Sequence, residues 1–293
     1  NQITKIDLMT VVVNPTIAFK VNEILSVGLG IDYMYGKAKL AKTAVVPGVG
    51  NIYNLNDLDG DGDAWGYNFG VLLKPTENFR IGANYRSPFH LKIKDGSVDI
   101  QNINSTVPFI PPGITAAQVF GGTSFTTKAT TTLRLPATFA LGAAYTMGKL
   151  TVEADADWTF WSSFRSLPID MKDNKGSLLP DTDAVKKWND VVALRFGVEY
   201  RVTDPLALRA GFVYDPSPIP GETMGPELPD SDRMNYMVGA GYKIGPWTID
   251  GAFQYIQKKD RTVNNQVTAA GTGFNGTWTG DAWLLGMDVG YHF

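Results

Sequence analysis

The C-terminal stretch Asp281-Ala-Trp-Leu-Leu-Gly-Met-Asp-Val-Gly-Tyr-His-Phe293 alternates between two kinds of side chain. Trp283, Leu285, Met287, Val289, Tyr291 and Phe293 fall on one face, and small or polar residues fall on the other. A period of two indicates a β-strand. A soluble sandwich buries such an apolar face in a core, whereas a membrane barrel turns it toward lipid, with aromatic residues at both interfaces. One strand does not distinguish the two.

The same alternation recurs along the chain, and the connections between the strands are short and long in turn. We predict about eleven strands, most of them at least about ten residues long, which exceeds the usual soluble strand and suits a tilted membrane crossing. The long connections cover about 41–63, 95–123, 165–187, 215–232 and 258–280. Because membrane barrels have short periplasmic turns and long outer loops, this predicts an all-β fold, a transmembrane antiparallel β-barrel, over a soluble β-solenoid or sandwich.

The composition of the chain agrees with a cell-envelope barrel. The net charge of -3 over 293 residues gives no indication of nucleic-acid binding, and the absence of cysteine excludes disulfides and thiolate metal sites. No apolar run approaches the roughly 20 residues that a membrane helix needs. Single-chain bacterial barrels have an even number of strands, so we expect an odd number of strands upstream of residue 1. Residues 1–293 are interpreted as one barrel domain.

Seven stretches carry a family resemblance, in order and with similar spacing. They are Asn14-Pro-Thr-Ile-Ala-Phe-Lys-Val-Asn-Glu-Ile-Leu-Ser-Val-Gly-Leu-Gly30, Gly62–Leu73, Leu133-Arg-Leu-Pro136, Trp158-Thr-Phe-Trp-Ser-Ser-Phe164, Tyr214-Asp-Pro-Ser-Pro218, Pro229–Arg233 and the terminal Tyr-His-Phe. Together they resemble the FadL/TodX family of outer-membrane transporters for long-chain fatty acids and other hydrophobic compounds. The resemblance implies a barrel of about fourteen strands plugged by an N-terminal hatch, with the hatch and about three strands upstream of residue 1.

The resemblance also implies a route for the substrate. An apolar groove between extracellular loops captures it, basic residues at an inner site meet its carboxylate, and it leaves sideways into the bilayer. Lys37 matches a basic ligand-binding position of the family. Strict alternation after Tyr35 turns Lys37 outward as a rim lysine near lipid phosphates, whereas a bulge at Gly36 would turn it inward. Lys186 and Lys187 also lie near a basic position of the family.

An unusually apolar extracellular loop contains further candidate ligand-binding residues, Phe109, Ile110 and Phe120. Exposed apolar loops often mark binding surfaces, so we predict a capture groove there, with tight packing of the loop as the alternative.

Charged residues recur on the predicted inner face of the barrel. We expect them to form paired ladders that stiffen the interior and anchor the hatch. These lumen charges are Arg80, Arg86, Glu153, Asp155, Asp157, Arg195, Glu199, Arg201 and Arg209.

The segment 57–63 resembles the front half of a calcium-binding loop. Asp57, Asp59 and Asp61 are the candidate ligands for Ca²⁺, but Asn68 occupies the twelfth position, where such loops have a bidentate Glu. A solvated loop, or one that contacts lipopolysaccharide through divalent ions, is the alternative. No other cofactor is expected.

The sequence therefore predicts uptake of hydrophobic small molecules across a bacterial outer membrane. A general diffusion porin with a wide polar lumen and a structural or adhesion barrel remain alternatives. An enzyme is not expected, because a barrel lipase needs a Ser–His pair and neither His90 nor His292 lies in a recognisable motif. The expected partners are the substrate, outer-membrane lipid, lipopolysaccharide and the barrel-assembly machinery, which would read Phe293. A monomer is expected, and the identity of the substrate stays open.

Overall fold

The structure is a computed structural model that describes residues 2–44, 54–101, 108–109, 114–173, 181–225, 228–265 and 275–292. The strands are β1 (Gln2–Val13), β2 (Thr16–Lys20), β3 (Leu25–Ala44), β4 (Asn54–Leu73), β5 (Phe79–Arg86), β6 (Phe89–Ile100), β7 (Pro108–Phe109), β8 (Ile114–Thr115), β9 (Phe125–Leu135), β10 (Thr138–Met147), β11 (Leu150–Thr159), β12 (Ser166–Met171), β13 (Thr182–Val185), β14 (Val191–Arg201), β15 (Leu206–Asp215), β16 (Arg233–Ile244), β17 (Trp247–Lys258), β18 (Arg261–Val263), β19 (Gly276–Trp278) and β20 (Asp281–Tyr291).

Helical structure within these ranges is limited to α1 (Ala116–Phe120) and two 3₁₀ turns, Trp161–Ser163 and Gly221–Thr223. A capping box formed by Thr115 and Gln118 starts α1, and Gly121 ends it at φ 76°. None of the described helices has the length and apolar character that a membrane-spanning helix requires.

One antiparallel sheet dominates the molecule. Its strand order is β13-β12-β9-β6-β4-β5-β10-β11-β14-β15-β16-β17-β20, and β3 joins it by pairing with β4, β1 and β2. Three pairs of strands each make one crossing interrupted by a short break, namely β1 with β2, β5 with β6, and β9 with β10. Counted this way, eleven crossings alternate between short turns and long connections, which confirms the predicted barrel pattern.

The outer wall is apolar and edged with aromatic rings at two levels. Ile17 is 81% exposed and Met287 is 80% exposed, as expected of side chains that face lipid. Near the short turns, the rings of Trp247 and Tyr291 lie 4.8 Å apart. Near the long connections, the girdle includes Trp283, which lies eight residues from Tyr291, a tilted path of about 26 Å at about 3.3 Å per residue.

The predicted polar connection over 41–63 is wrong, because β3 and β4 continue through most of it. They stay paired from Leu25↔Leu73 to Ala44↔Asn54. Asp and Gly suggested a loop, yet they alternate, and Gly62 is needed because a Cβ there would overlap the carbonyl oxygen of Lys92 on β6. The upper halves of β3 and β4, together with β6, β9, β12 and β13, form a tall wall that we call the extracellular sheet.

Two breaks lie side by side where the extracellular sheet meets the barrel. Ser87-Pro88 separates β5 from β6, and Pro136-Ala137 separates β9 from β10. The pairing continues from Arg86↔Thr138 to Phe89↔Leu135, so the two prolines interrupt neighbouring strands at the same height. Proline lacks the N–H that a ladder hydrogen bond needs, and the hydrogen bonding between the two parts is therefore weakened at this level.

Candidate functional site

At the extracellular end, the long connections between strands pack together around an aromatic cluster. Its buried members are Phe164, Trp188, Ile219, Met224 and Val263, and Leu133, Trp161, Leu167 and Trp278 pack against them. We call this set the tryptophan cluster. The ring centroids of Trp161 and Trp188 lie 4.7 Å apart, and those of Phe164 and Trp188 lie 5.0 Å apart, in edge-to-face arrangements. Such pairs stabilise one another beyond their burial, so the cluster is a defined structure rather than a loose contact.

Backbone and side-chain hydrogen bonds hold the connections around the tryptophan cluster. The Arg261 guanidinium donates to the Ser217 hydroxyl at 3.2 Å and to the carbonyl oxygens of Asp230 at 3.0 Å and Ile219. The Asn265 amide donates to the Met224 carbonyl oxygen at 3.1 Å. These contacts brace the β15–β16 and β17–β20 connections against one another and fix the cluster in place.

Two polar groups are buried at this cluster. Lys186 is 7% exposed and Trp188 is 8% exposed, while Lys187 between them is exposed. Lys187 has φ 48°, in the left-handed region that non-glycine residues rarely adopt. Within the described part of the chain, the Trp188 Nε1–H has no hydrogen-bond acceptor. An apolar aromatic site with an unused N–H donor, next to a buried lysine, suits a molecule that has an apolar body and an anionic or hydrogen-bond-accepting head.

Apolar contacts continue from the tryptophan cluster toward the lumen. Leu133 packs on the tryptophan cluster and also on a second cluster formed by the inward-facing residues Met34, Ala64, Phe89 and Leu91. Leu91 is completely buried. The two clusters therefore form one apolar surface that runs from the extracellular connections to the top of the barrel interior.

A buried polar group lies on the inner wall just below. Asp32 has no exposed surface, and its carboxylate accepts hydrogen bonds from the side-chain amides of Asn14 at 2.6 Å and Asn68 at 3.3 Å. The Arg86 Nε lies 3.7 Å from the same carboxylate. This neutralised cluster separates the apolar surface above from the charged wall below.

The predicted lumen charges lie on the inner wall, and most of them form ion pairs. Arg195 pairs with Asp157 at 2.6 Å, and Arg80 approaches Glu153 at 3.9 Å. Arg209 bridges Glu199 at 2.8 Å and Asp250 at 2.5 Å, and Arg201 lies 3.6 Å from Glu199. Asp155 stands opposite Arg195 in the strand register. Arg80, Glu153 and Asp155 edge a cavity of about 510 Å³ that is otherwise lined mainly by small and apolar residues.

The structure turns Lys37 outward, and the bulge at Gly36 that would have turned it inward does not form. The pairing runs without a shift through Gly36↔Gly62, and a Cβ at Gly36 would point at the inward-facing Leu91. The ammonium group of Lys37 lies 3.7 Å from the Asp59 carboxylate on the outer face. Lys37 is therefore not brought together with Lys186 at the tryptophan cluster.

Phe120 of the apolar loop also lies apart from the tryptophan cluster. Phe120, in α1, packs against the buried cluster of Val98, Ile100, Ala129 and Ile169 on the extracellular sheet. Its ring lies 5.5 Å from that of Phe125. Phe109 belongs to the short strand β7, and Ile110 falls outside the described residues.

The proposed calcium ligands Asp57, Asp59 and Asp61 stand on strand β4 rather than in a loop. Asp59 pairs with Lys39 at 2.6 Å, and the hydrogen bond from this ammonium group lowers the pKa of Asp59. No group of three or more metal-ligating side chains occurs in the part of the chain that the structure describes. Calcium binding by these aspartates stays a prediction, and the extended backbone on which they stand does not support it.

Trp161, Trp188 and Trp278 were not among the predicted site residues, although Trp161 lies in one of the stretches that carry the family resemblance. These are three of the seven tryptophans, and all three lie in connections rather than in the membrane girdles. Their position in polar, long connections was the available signal, because an indole in such a segment is costly to expose unless it packs or binds.

Comparison with known proteins agrees with this fold. The family model described as outer membrane protein transport protein (OMPP1/FadL/TodX) matches residues 2–293. The long-chain fatty acid transport protein of Escherichia coli O6:H1 is 27% identical over 311 residues, which covers 99% of this chain and 68% of that protein. The chain thus spans about two thirds of the length of the curated relatives it matches.

Solved structures show the same fold. The crystal structure of a Pseudomonas aeruginosa FadL homologue has a TM-score of 0.81 at 23% identity, covering 98% of this chain and 69% of that one. The toluene transporter TbuX of Ralstonia pickettii has a TM-score of 0.63 at 18% identity, covering 98% and 69%. Together with the family match, these likenesses show that the chain belongs to the OMPP1/FadL/TodX family and is a transmembrane β-barrel of the bacterial outer membrane.

Proposed function

We propose that this protein takes up hydrophobic molecules that carry an anionic head, and that the tryptophan cluster is the site where they first bind. The observation that supports this most is the burial of Lys186 beside Trp188, whose Nε1–H is unused among the described residues. A carboxylate placed there would accept a hydrogen bond from the Trp188 Nε1–H and be attracted by the positive charge of Lys186, while its chain packs on the aromatic rings. The relative in E. coli is a long-chain fatty acid transport protein, which is consistent with such a substrate.

The proposed route descends from the tryptophan cluster along Leu133 to the Met34 and Leu91 cluster, and then to the inner wall. The substrate leaves sideways into the bilayer rather than through a water-filled pore, because an apolar chain partitions into lipid more readily than into water. The ion pairs of Arg195 and Arg209 neutralise the inner wall, which limits repulsion of an anionic head.

Other functions are less well supported by the same geometry. A diffusion porin does not account for a braced aromatic cluster at the extracellular end. An enzyme does not either, since His90 stands on the extracellular sheet, while the His292 imidazole lies 3.2 Å from the Thr248 hydroxyl near the short-turn end. We further propose that the protein acts as a monomer whose C-terminal strand, ending in Phe293, is recognised by the barrel-assembly machinery.

The test compares three variants of the full chain in outer membranes. In Lys186→Met, binding of a long-chain fatty acid should weaken by roughly 10- to 100-fold, because the buried positive charge that attracts the carboxylate is lost. Binding of toluene should change little. Trp188→Ala should weaken the binding of both, because it removes an aromatic ring from the site.

The matched control is Lys187→Met, which removes an exposed charge one residue away and should bind both ligands as the parent does. Unchanged fatty acid binding by Lys186→Met would contradict the proposal. So would small-solute conductance by the purified parent without any binding of fatty acid.

A further inference from the structure

The outer face of the extracellular sheet carries unpaired cations directly above the aromatic girdle. His90, Lys92 and Lys94 of β6 are exposed, and they alternate with the buried Leu91 and Ile93 on the opposite face. On the neighbouring strand, Arg134 stands directly opposite His90 and is also exposed. The alternation therefore turns a row of basic side chains away from the loops and toward the surrounding membrane surface.

These cations differ from the ion-paired arginines of the inner wall. On the inner wall Arg195 and Arg209 are ion-paired, whereas Lys92, Lys94 and Arg134 form no salt bridge with any described residue. The chain as a whole has a net charge of -3, so this basic row is a local exception. Unpaired cations on one exposed face are available to an anionic partner outside the chain.

A groove runs beneath the basic row. Where β5 breaks from β6 at Ser87-Pro88, the outer surface opens into a groove of about 540 Å³. Its lining includes the indole of Trp65, which is 65% exposed, and the side chains of His90, Lys92 and Lys94. A tryptophan at this height marks the lipid–water interface, so the groove has an apolar end in the membrane and an end with charged side chains of both signs in the headgroup layer.

Carboxylates share this face and limit its charge. Asp61, Asp63 and Asp95 also line the groove. On the described outer face of the sheet the charged side chains are Lys37, Lys39, Lys92, Lys94, Lys128 and Arg134 against Asp59, Asp61, Asp63, Asp95, Asp99, Asp170 and Asp183, a net charge of -1. Lys37 and Lys39 already engage Asp59, so the unpaired positive charge is concentrated on β6 and β9.

We propose that this groove binds lipopolysaccharide, with the phosphates of its lipid anchor against Lys92, Lys94 and Arg134 and an acyl chain against Trp65. The position decides the partner, because the outer leaflet is the only phosphate-rich layer at this height on the lipid-facing wall. The ammonium and guanidinium groups make charge-assisted hydrogen bonds to phosphate oxygens. The site is separate from the tryptophan cluster, and its function is to anchor the barrel and to fix its height in the outer leaflet.

The experiment measures binding of bisphosphorylated lipid A to the full chain purified from outer membranes in mild detergent. The test variant is Lys92→Gln/Lys94→Gln/Arg134→Gln. Each basic residue near an anionic surface contributes roughly fivefold in affinity, so the triple variant should bind about a hundredfold more weakly. Lys74→Gln/Lys149→Gln/Lys243→Gln is the control, since it removes three exposed charges at the short-turn end and should bind like the parent.

Two further arms identify the source of the phosphate. Dephosphorylated lipid A should bind weakly to the parent, and millimolar inorganic phosphate should not displace the bisphosphorylated lipid. Heat-dependent migration on gels verifies that each variant is folded, and Trp65→Ala provides a second, uncharged test that should also lower the affinity. Parent-like binding by the triple variant, equal binding of dephosphorylated lipid, or displacement by free phosphate would overturn the proposal. Fatty acid binding should be unchanged in the triple variant, which separates this site from the uptake site.

Discussion

At the scale of single residues, Asp32 shows how a polar side chain on the inner wall can stabilise the fold. A buried carboxylate is costly unless it is hydrogen-bonded and paired. Asn14 in the break between β1 and β2, Asn68 on β4 and Arg86 on β5 supply that compensation. The alternation of the sequence placed Asp32 on the inner face, but its complete burial depends on side chains 18 and 36 residues away, which a local pattern does not reveal.

Removal of this carboxylate is predicted to destabilise the barrel. In Asp32→Ala the amides of Asn14 and Asn68 lose their acceptor in a buried place, which costs roughly 1–3 kcal/mol of unfolding free energy. This loss of unfolding free energy is measured by urea unfolding in lipid vesicles, with tryptophan fluorescence as the signal. Asp288→Ala is the control, because Asp288 is an exposed inner-face carboxylate on β20, and its unfolding midpoint should stay at the parental value. Equal midpoints for the two variants would contradict the assigned role of Asp32.

At the scale of elements, the sequence predicted the strands better than the places where they are interrupted or extended. β16 begins at Arg233, directly after the predicted connection over 215–232, because an aromatic alternation between clear turns leaves no ambiguity. The extension of β4 through Asp57–Asp63 was missed, since a water-exposed strand face can consist of the same residues as a loop. The tryptophan cluster was missed because Trp161, Trp188 and Trp278 meet only through tertiary contacts.

Strand β3 depends on Gly30 to hold three strands around the Asp32 cluster. A Cβ at this position would lie 2.6 Å from the Asn68 Nδ2 and 2.7 Å from the Thr16 hydroxyl oxygen. We predict that Gly30→Ala lowers the unfolding free energy by roughly 1–3 kcal/mol, as overpacking does. Gly286→Ala on β20, where a Cβ would meet nothing within 4 Å, should be close to neutral.

The double variant Gly30→Ala/Asp32→Ala gives a sharper measurement of the same element. Because both changes disturb the same amides, the double variant should lose less unfolding free energy than the sum of the losses in the two single variants. Strict additivity in the urea assay would show that Gly30 acts independently of the Asp32 cluster.

At the scale of the whole molecule, the alternation of short turns and long connections predicts the orientation of the barrel in the membrane. The chain contains no cysteine, so a single introduced thiol reports one position. Thr130→Cys on the exposed face of β9 should react with a membrane-impermeant maleimide on intact cells. Lys149→Cys in the β10–β11 turn should react only after the outer membrane is permeabilised. Labelling of position 149 on intact cells would reverse the orientation and contradict the proposed extracellular location of the tryptophan cluster.

The side-by-side breaks at Ser87-Pro88 and Pro136-Ala137 have a consequence for cooperativity. They separate β6 and β9 from the lipid-embedded β5 and β10, while β3 and β4 run through both levels, and the extracellular sheet has its own buried residues, Val98 and Ile100 among them. Such a division lets one part open while the other keeps its ladders. In native-state hydrogen exchange, amides of β6 and β9 should therefore exchange together, through a subglobal opening of lower free energy than that of β10 and β11. The molecule would then behave as two foldons, a permanent barrel and an extracellular wall that can melt and re-form without the protein leaving the membrane.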